Sequence, residues 1–172
     1  MGSNPSASAK VKYMSENNSP TKKLIRPGVK ALIVHEGKIL MIHERVRKGE
    51  KIVNITDFPG GGIDFAEDLK TALIREVKEE VGLNIKVGNV VGAWDFVLGE
   101  LEHTVPGKSG VHIVCIGYQC SLISETVIDV THNPAPEDIF DAKWYTREEL
   151  LEDEEKLSKH QGMIDAVKRL DI

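Results

Sequence analysis

The chain has 172 residues, of which 41% are hydrophobic, and a formal net charge of −5. That length and apolar content suit one domain with a substantial core. The acidic balance gives no strong electrostatic footprint for nucleic acid or an anionic membrane surface, and no apolar run approaches the ~20 residues that span a bilayer.

From Met1 to about Pro20 the sequence is rich in Ser, Asn and Lys and almost lacks large apolar residues. It reads as a disordered leader, without the apolar segment of a signal peptide, and Met1-Gly2-Ser3 looks like an expression remnant. Residues 1–23 are therefore set apart from a single domain over 24–172, with order expected to begin near Arg26-Pro27. Gly28 to His35 and Lys38 to His43 are β-rich runs joined by Glu36-Gly37, a short hairpin. Arg45 to Lys51 is basic and reads as a flexible, solvated loop. Its competing reading is that Arg45, Arg47 or Lys48 meets a substrate phosphate, because loops beside a site carry binding residues.

Asn54 to Phe58 forms a short strand running into Pro59 and three glycines, Gly60, Gly61 and Gly62, which permit close backbone approach to a ligand. The spacing beyond predicts a helix from near Glu67 to Gly82, with Gly82 as its left-handed terminating residue. Leu69, Ala72, Leu73 and Val77 recur at helical spacing and supply its apolar face. Glu76, Glu79 and Glu80, three and four residues apart, stand together on one face. Clustered carboxylates repel, so something positive must sit among them. A hard divalent cation that takes oxygen ligands, Mg²⁺ with Mn²⁺ able to stand in, is the natural candidate.

Asn84 to Val87 and Val90 to Val97 read as two further strands, and Val111 to Leu122 as a strong one. Cys115 and Cys120, the only cysteines, lie five apart in that strand; they face opposite sides and do not pair. Free buried thiols point to a reducing cytosol and a cytoplasmic protein. Between these strands, Leu98 to Gly110 is polar and glycine-rich, a long loop read either as a site lid or as a mobile surface. Within it, His103 is the best histidine for a substrate or proton-transfer contact, whereas His35, His43 and His112 sit in strand patterns. Glu125 to Val130 is expected to form a last hairpin strand. After it, Ile139 to Tyr145 is a strand, and Thr146 with Glu149 makes a capping box that opens a short helix. Met163, Ile164, Val167 and Leu170 mark a C-terminal helix packed on the sheet. Trp94, Phe96, Trp144 and Tyr118 are read as core rather than as stacking platforms.

Gly61, five residues, Glu67, seven residues, then Arg75-Glu76-Val77-Lys78-Glu79-Glu80-Val81-Gly82-Leu83 resembles the Nudix box at every defined position. Average residue frequencies make a chance match on the order of one in ten million. The resemblance to this superfamily of MutT-like hydrolases implies an α/β/α sandwich with a mixed β-sheet between helices over about residues 24–172. It implies that the Gly60 backbone carbonyl joins a metal shell with Glu79 and Glu80. Glu76 either joins them or acts as the base toward attacking water. Arg75 and Glu67 would orient the glutamates, and Glu137 or Asp138 would be an outlying ligand or base. Ala66 stands where many relatives have glycine.

The implied activity is Mg²⁺-dependent hydrolysis of a phosphoanhydride in a nucleoside diphosphate linked to another moiety. Such a substrate is of nucleoside triphosphate, ADP-ribose or nucleotide-sugar type. The competing class is a nucleotide-binding module that has lost catalysis, for which a full set of carboxylates would be superfluous. No signature outside the box selects a substrate. Dimerisation is common in the family, and no feature here fixes it.

Overall fold

The computed structural model of the chain describes residues 24–48, 50–98, 102–103, 111–123, 127–131, 133 and 139–172. The expectations for residues 1–23 lie outside them. β1 (Leu24–His35) and β2 (Lys38–Lys48) are joined by Glu36 and Gly37 at φ 48° and 72°, the two positive angles of a hairpin turn whose twist matches its strands. β2 does not end at His43. It runs on to Lys48 and pairs with β3 (Lys51–Asp57), with Val46 opposite Val53 and Arg45 opposite Asn54. The expected basic loop is therefore mostly hairpin. The exposed Arg45 is followed by the fully buried Val46, and that strand alternation is hidden by the number of charges in the run.

β4 (Ile85–Leu98) is one strand rather than two, with register shifts in its pairing to β6 between Val87 and Val90 and between Val90 and Gly92. β5 (Glu102–His103) turns part of the expected irregular loop into a short strand against Val46 and Arg47 of β2. β6 (Val111–Leu122) runs parallel to β1 and antiparallel to β4, and β7 (Ile139–Thr146) is antiparallel to β2. Among the described residues the result is a mixed seven-stranded sheet, ordered β3-β2-β1-β6-β4, with β5 and β7 also paired to β2. Val127 to Val130, expected as a strand, is not one. Instead the Asp129 amide donates to the Val81 carbonyl at 3.0 Å, satisfying one of the acceptors left free at a helix C-terminus.

Helices cover both faces of the sheet. α1 (Leu69–Val81) buries Ala72, Leu73, Val77 and Val81 against Leu40, Ile42, Ile33 and Cys120. α2 (Arg147–Glu152), a 3₁₀ turn (Glu154–Leu157) and α3 (Gln161–Lys168) cover the other face around Ile39, Met41, Trp94 and Cys115. The α/β/α layering expected from the sequence is thus present. Consecutive β2 residues divide between the two cores as the pleat requires, and the two buried, free cysteines fall on opposite faces. Trp94 and Tyr118 are buried. No helix of the described residues is long and apolar enough to cross a membrane.

The Thr146 side chain accepts from the Glu149 amide at 3.2 Å, and the Glu149 carboxylate accepts from the Thr146 amide at 2.7 Å. Replacing Thr146 by Ala removes half of this reciprocal cap and is expected to cost about 1 kcal/mol. Urea unfolding of the two proteins checks the figure.

Candidate active site

The site begins where β2 leaves β1. β2 pairs with β1 only at Val34–Ile39 and His35–Lys38, which leaves β1 amides farther back in need of acceptors. The loop after β3 supplies them: Ala31 N–H donates to the Pro59 carbonyl at 2.8 Å and Val29 N–H to the Gly61 carbonyl at 2.9 Å. Gly60, pinned between, has φ 129°, and a Cβ there would run into the Val29 carbonyl oxygen. Only glycine suits this backbone. The Gly60 amide, facing the helix, donates to Glu80 Oε2 at 2.7 Å. Gly61 lies so close to Glu76 that a Cβ would sit 2.5 Å from Oε2. Loop and helix therefore meet at two of the three helix glutamates.

α1 begins at Leu69, two residues beyond Glu67, because Asp68 is its cap, accepting from the Lys70 and Thr71 amides. Glu67 thus precedes the helix and turns to Arg75. The guanidinium binds Glu67 in bidentate fashion, Nε to Oε1 at 3.0 Å and Nη2 to Oε2 at 2.8 Å. Its Nη1 reaches Glu76 Oε1 at 2.8 Å and Glu79 Oε2 at 3.3 Å, and Nη2 also donates to the Gly62 carbonyl at 3.2 Å. One cation therefore ties the cap region, the glycine loop and two glutamates together. The Arg75 hydrogen bonds hold the Glu67 carboxyl below its usual range, helped by the Asp64 amide. Glu67, with Glu76 adding to it against the cost of burial, keeps Arg75 charged beyond its ordinary value.

Because Arg75 grips Glu67 as a fork, lysine cannot reproduce the contact. Arg75→Lys is expected to lower kcat/KM about tenfold by freeing the glutamate rotamers, measured on whichever substrate the chain turns over.

Glu80 has different company. Burial pushes its carboxyl well above the usual range; Lys30 and the Gly60 amide oppose that, while Glu44 and Glu76 add to it. Lys30 is itself buried, with Nζ 2.7 Å from Asp57 Oδ2 and donating to the Phe58 carbonyl at 3.0 Å. Burial alone would lower the Lys30 pKa, but Asp57, Glu44 and Glu80 outweigh it and hold the ammonium charged. Sequence reasoning missed Lys30, Asp57 and Glu44. The one available signal was a lysine inside the apolar run Val29-Lys30-Ala31-Leu32-Ile33.

The Glu76, Glu79 and Glu80 carboxylates and the adjacent glycine backbone offer oxygen donors, the type that a hard divalent cation takes. Among the described residues no three acidic, histidine or cysteine side chains already converge on one point; the Arg75 guanidinium contacts both Glu76 and Glu79. Of the remaining expected residues, Arg45 has a described side chain. Arg45 extends from the sheet face opposite its neighbour Glu44, its guanidinium 4.7 Å above the Phe140 ring, and is not brought to the carboxylates. Arg47 and His103 are placed by backbone pairing alone, in β2 and β5, and their side chains lie outside the described residues. Glu137 and Asp138 also lie outside them.

The sequence model of the NUDIX domain matches residues 24–167. The chain is 32% identical over 93 residues to "Nucleoside diphosphate-linked moiety X motif 6" of Xenopus laevis, an alignment covering 51% of this chain and 38% of that one. It is 39% identical over 61 residues to an RNA pyrophosphohydrolase of Campylobacter jejuni, covering 36% of this chain and 39% of the relative. The chain thus spans well under two thirds of either relative's length. In three dimensions it is similar to the MutT protein of Methanosarcina mazei, with TM-score 0.61 and 21% identity over 86% of this chain and 94% of the other, a likeness of fold. With the domain match extending from β1 into α3, and with the box residues assembled on α1 and its preceding loop, the chain belongs to the Nudix family.

Proposed function

We propose that this chain is a Mg²⁺-dependent pyrophosphohydrolase that cleaves a phosphoanhydride in a nucleoside diphosphate linked to another moiety. The observation that carries this reading is the convergence of loop and helix: Gly60 on Glu80, Gly61 against Glu76, and Arg75 tying Glu67, Glu76 and Glu79. A bound Mg²⁺ would neutralise phosphate oxygens and lower the pKa of water. Glu79 and Glu80, with the backbone at Gly60, would hold it. The chain's own groups do the rest. Arg75 fixes the Glu76 and Glu79 carboxylates in orientation through its grip on Glu67. Glu76, whose Oε2 lies at the glycine loop, would either join those ligands or accept the proton of the attacking water. The rigid helix keeps these oxygens from dispersing under their mutual repulsion.

The names of the relatives, one for nucleoside diphosphate-linked moieties and one for RNA, support the phosphoanhydride class without choosing a member. The test is a release assay for phosphate, pyrophosphate and mononucleotide with Mg²⁺ or chelator. Nucleoside triphosphates, ADP-ribose, nucleotide sugars, dinucleoside polyphosphates and RNA with a 5′ phosphoanhydride form the panel. Mg²⁺-dependent turnover of one of them is the expected result. Tight binding of a nucleotide with no turnover of any compound would instead favour a binding module.

A further inference from the structure

We infer that Lys30 is a positioning residue of this site, whose ammonium clamps the start of the glycine loop so that Gly60 stays against Glu80. The inference rests on the proposed cation-assisted hydrolysis and adds a residue outside the box to it. Lys30 is 7% exposed, and Phe58, whose carbonyl it binds at 3.0 Å, is fully buried. Asp57, the partner at 2.7 Å, is held in turn, because its Oδ1 accepts from the Phe58 amide at 2.7 Å. These contacts grip the loop at its first residues. One and three residues beyond Phe58, the amides flanking Lys30 on the same strand grip the loop again: Ala31 at the Pro59 carbonyl and Val29 at the Gly61 carbonyl.

Position 30 is therefore the centre of a three-point attachment, two points through backbone and one through the ammonium. Gly60 lies inside it, pressed against Val29, and its amide has one placement, on Glu80 Oε2 at 2.7 Å. A buried cation is costly to a core unless it is well paired, and an apolar side chain would fill the same volume more simply. What the ammonium adds is a fixed distance between β1 and the turn that presents Gly60. Glu44 and Glu80 lie close enough to act on the Lys30 ammonium, linking the clamp to the helix glutamate it serves.

The experiment compares the parent with Lys30→Met and Asp57→Asn. It measures the Mn²⁺ dissociation constant by electron paramagnetic resonance, kcat and KM on the substrate found in the panel, and thermal melting. Lys30→Met is expected to weaken Mn²⁺ binding about tenfold and to lower kcat by a similar factor, the scale seen when a group orienting a metal ligand is removed. KM should change much less, and Asp57→Asn should move the same quantities in the same direction by less. A merely structural lysine would lower the melting temperature and leave the Mn²⁺ affinity of the folded protein at the parent value. That outcome overturns the inference. Should Lys30→Met fail to fold, the same two outcomes are read from Asp57→Asn. A parent that binds no Mn²⁺ would overturn the underlying reading, whereas parental binding with unaltered variants overturns the role of Lys30 alone.

Discussion

Glu80→Gln is expected to lower kcat by about two to three orders of magnitude while leaving the fold intact. The substitution keeps the side chain's shape and its acceptor for the Gly60 amide, so the loop contact at 2.7 Å can persist. What disappears is a negative charge facing the position proposed for the cation. The same change has a second, opposite signature in the metal-free protein. Burial, opposed by Lys30, raises the Glu80 carboxyl above its ordinary value, so the folded state holds a proton that the unfolded chain releases. The stability this contributes is complete below the ordinary glutamate pKa of about 4.3 and is lost as pH rises through the raised value. Glutamine resembles the protonated form at every pH. In chelator, Glu80→Gln should therefore melt at or above the parent temperature at neutral pH, and the difference should shrink toward pH 4. Thermal melts across that range check the sign; a variant clearly less stable than the parent at neutral pH would contradict it.

Gly60→Ala is expected to be the most damaging single methyl group in the loop, costing about 2–4 kcal/mol and most of the activity of what still folds. Two effects add. At φ 129° an L side chain is strained, and the new Cβ would collide with the backbone of Val29, which cannot swing aside as a side chain could. Relief requires lifting the loop from β1, which breaks the Ala31–Pro59 and Val29–Gly61 hydrogen bonds and withdraws the amide from Glu80. Gly37→Ala is the control. Its φ is 72° with open space around the Cβ, so it should cost only the left-handed penalty of about 1 kcal/mol and leave kcat unchanged. Chemical denaturation and steady-state rates on the pair separate collision from strain.

The parts legible in the sequence are those whose physics is local. A helix with Glu76, Glu79 and Glu80 on one face follows from spacing alone, and Gly82 as its terminator from its freedom to adopt φ 73°. The capping box at Thr146 and the apolar stripe of α3 are readable for the same reason. The start of α1 was displaced because two acids stand side by side, and only the folded chain shows Asp68 capping while Glu67 turns to Arg75. The β2–β3 hairpin was obscured by Arg45, Arg47, Lys48 and Lys51, since charge density reads as loop until Val46 is seen to be buried. Val127 to Val130 has strand-like residues, but its backbone is drawn to the end of α1 by the Asp129–Val81 hydrogen bond. The Lys30–Asp57–Phe58 clamp was beyond reach because it joins residues far apart in the chain across a place where β2 abandons β1. No local periodicity encodes such a contact.

The most direct measurement of the central claim is diffraction from a crystal of the full chain soaked in Mn²⁺, collected at the manganese edge. The expected result is an anomalous peak among Glu76, Glu79, Glu80 and the Gly60 backbone, with Arg75 still holding Glu67. A fully soaked crystal with no peak there, or with Mn²⁺ bound only elsewhere, would contradict the assignment of these glutamates as the metal centre.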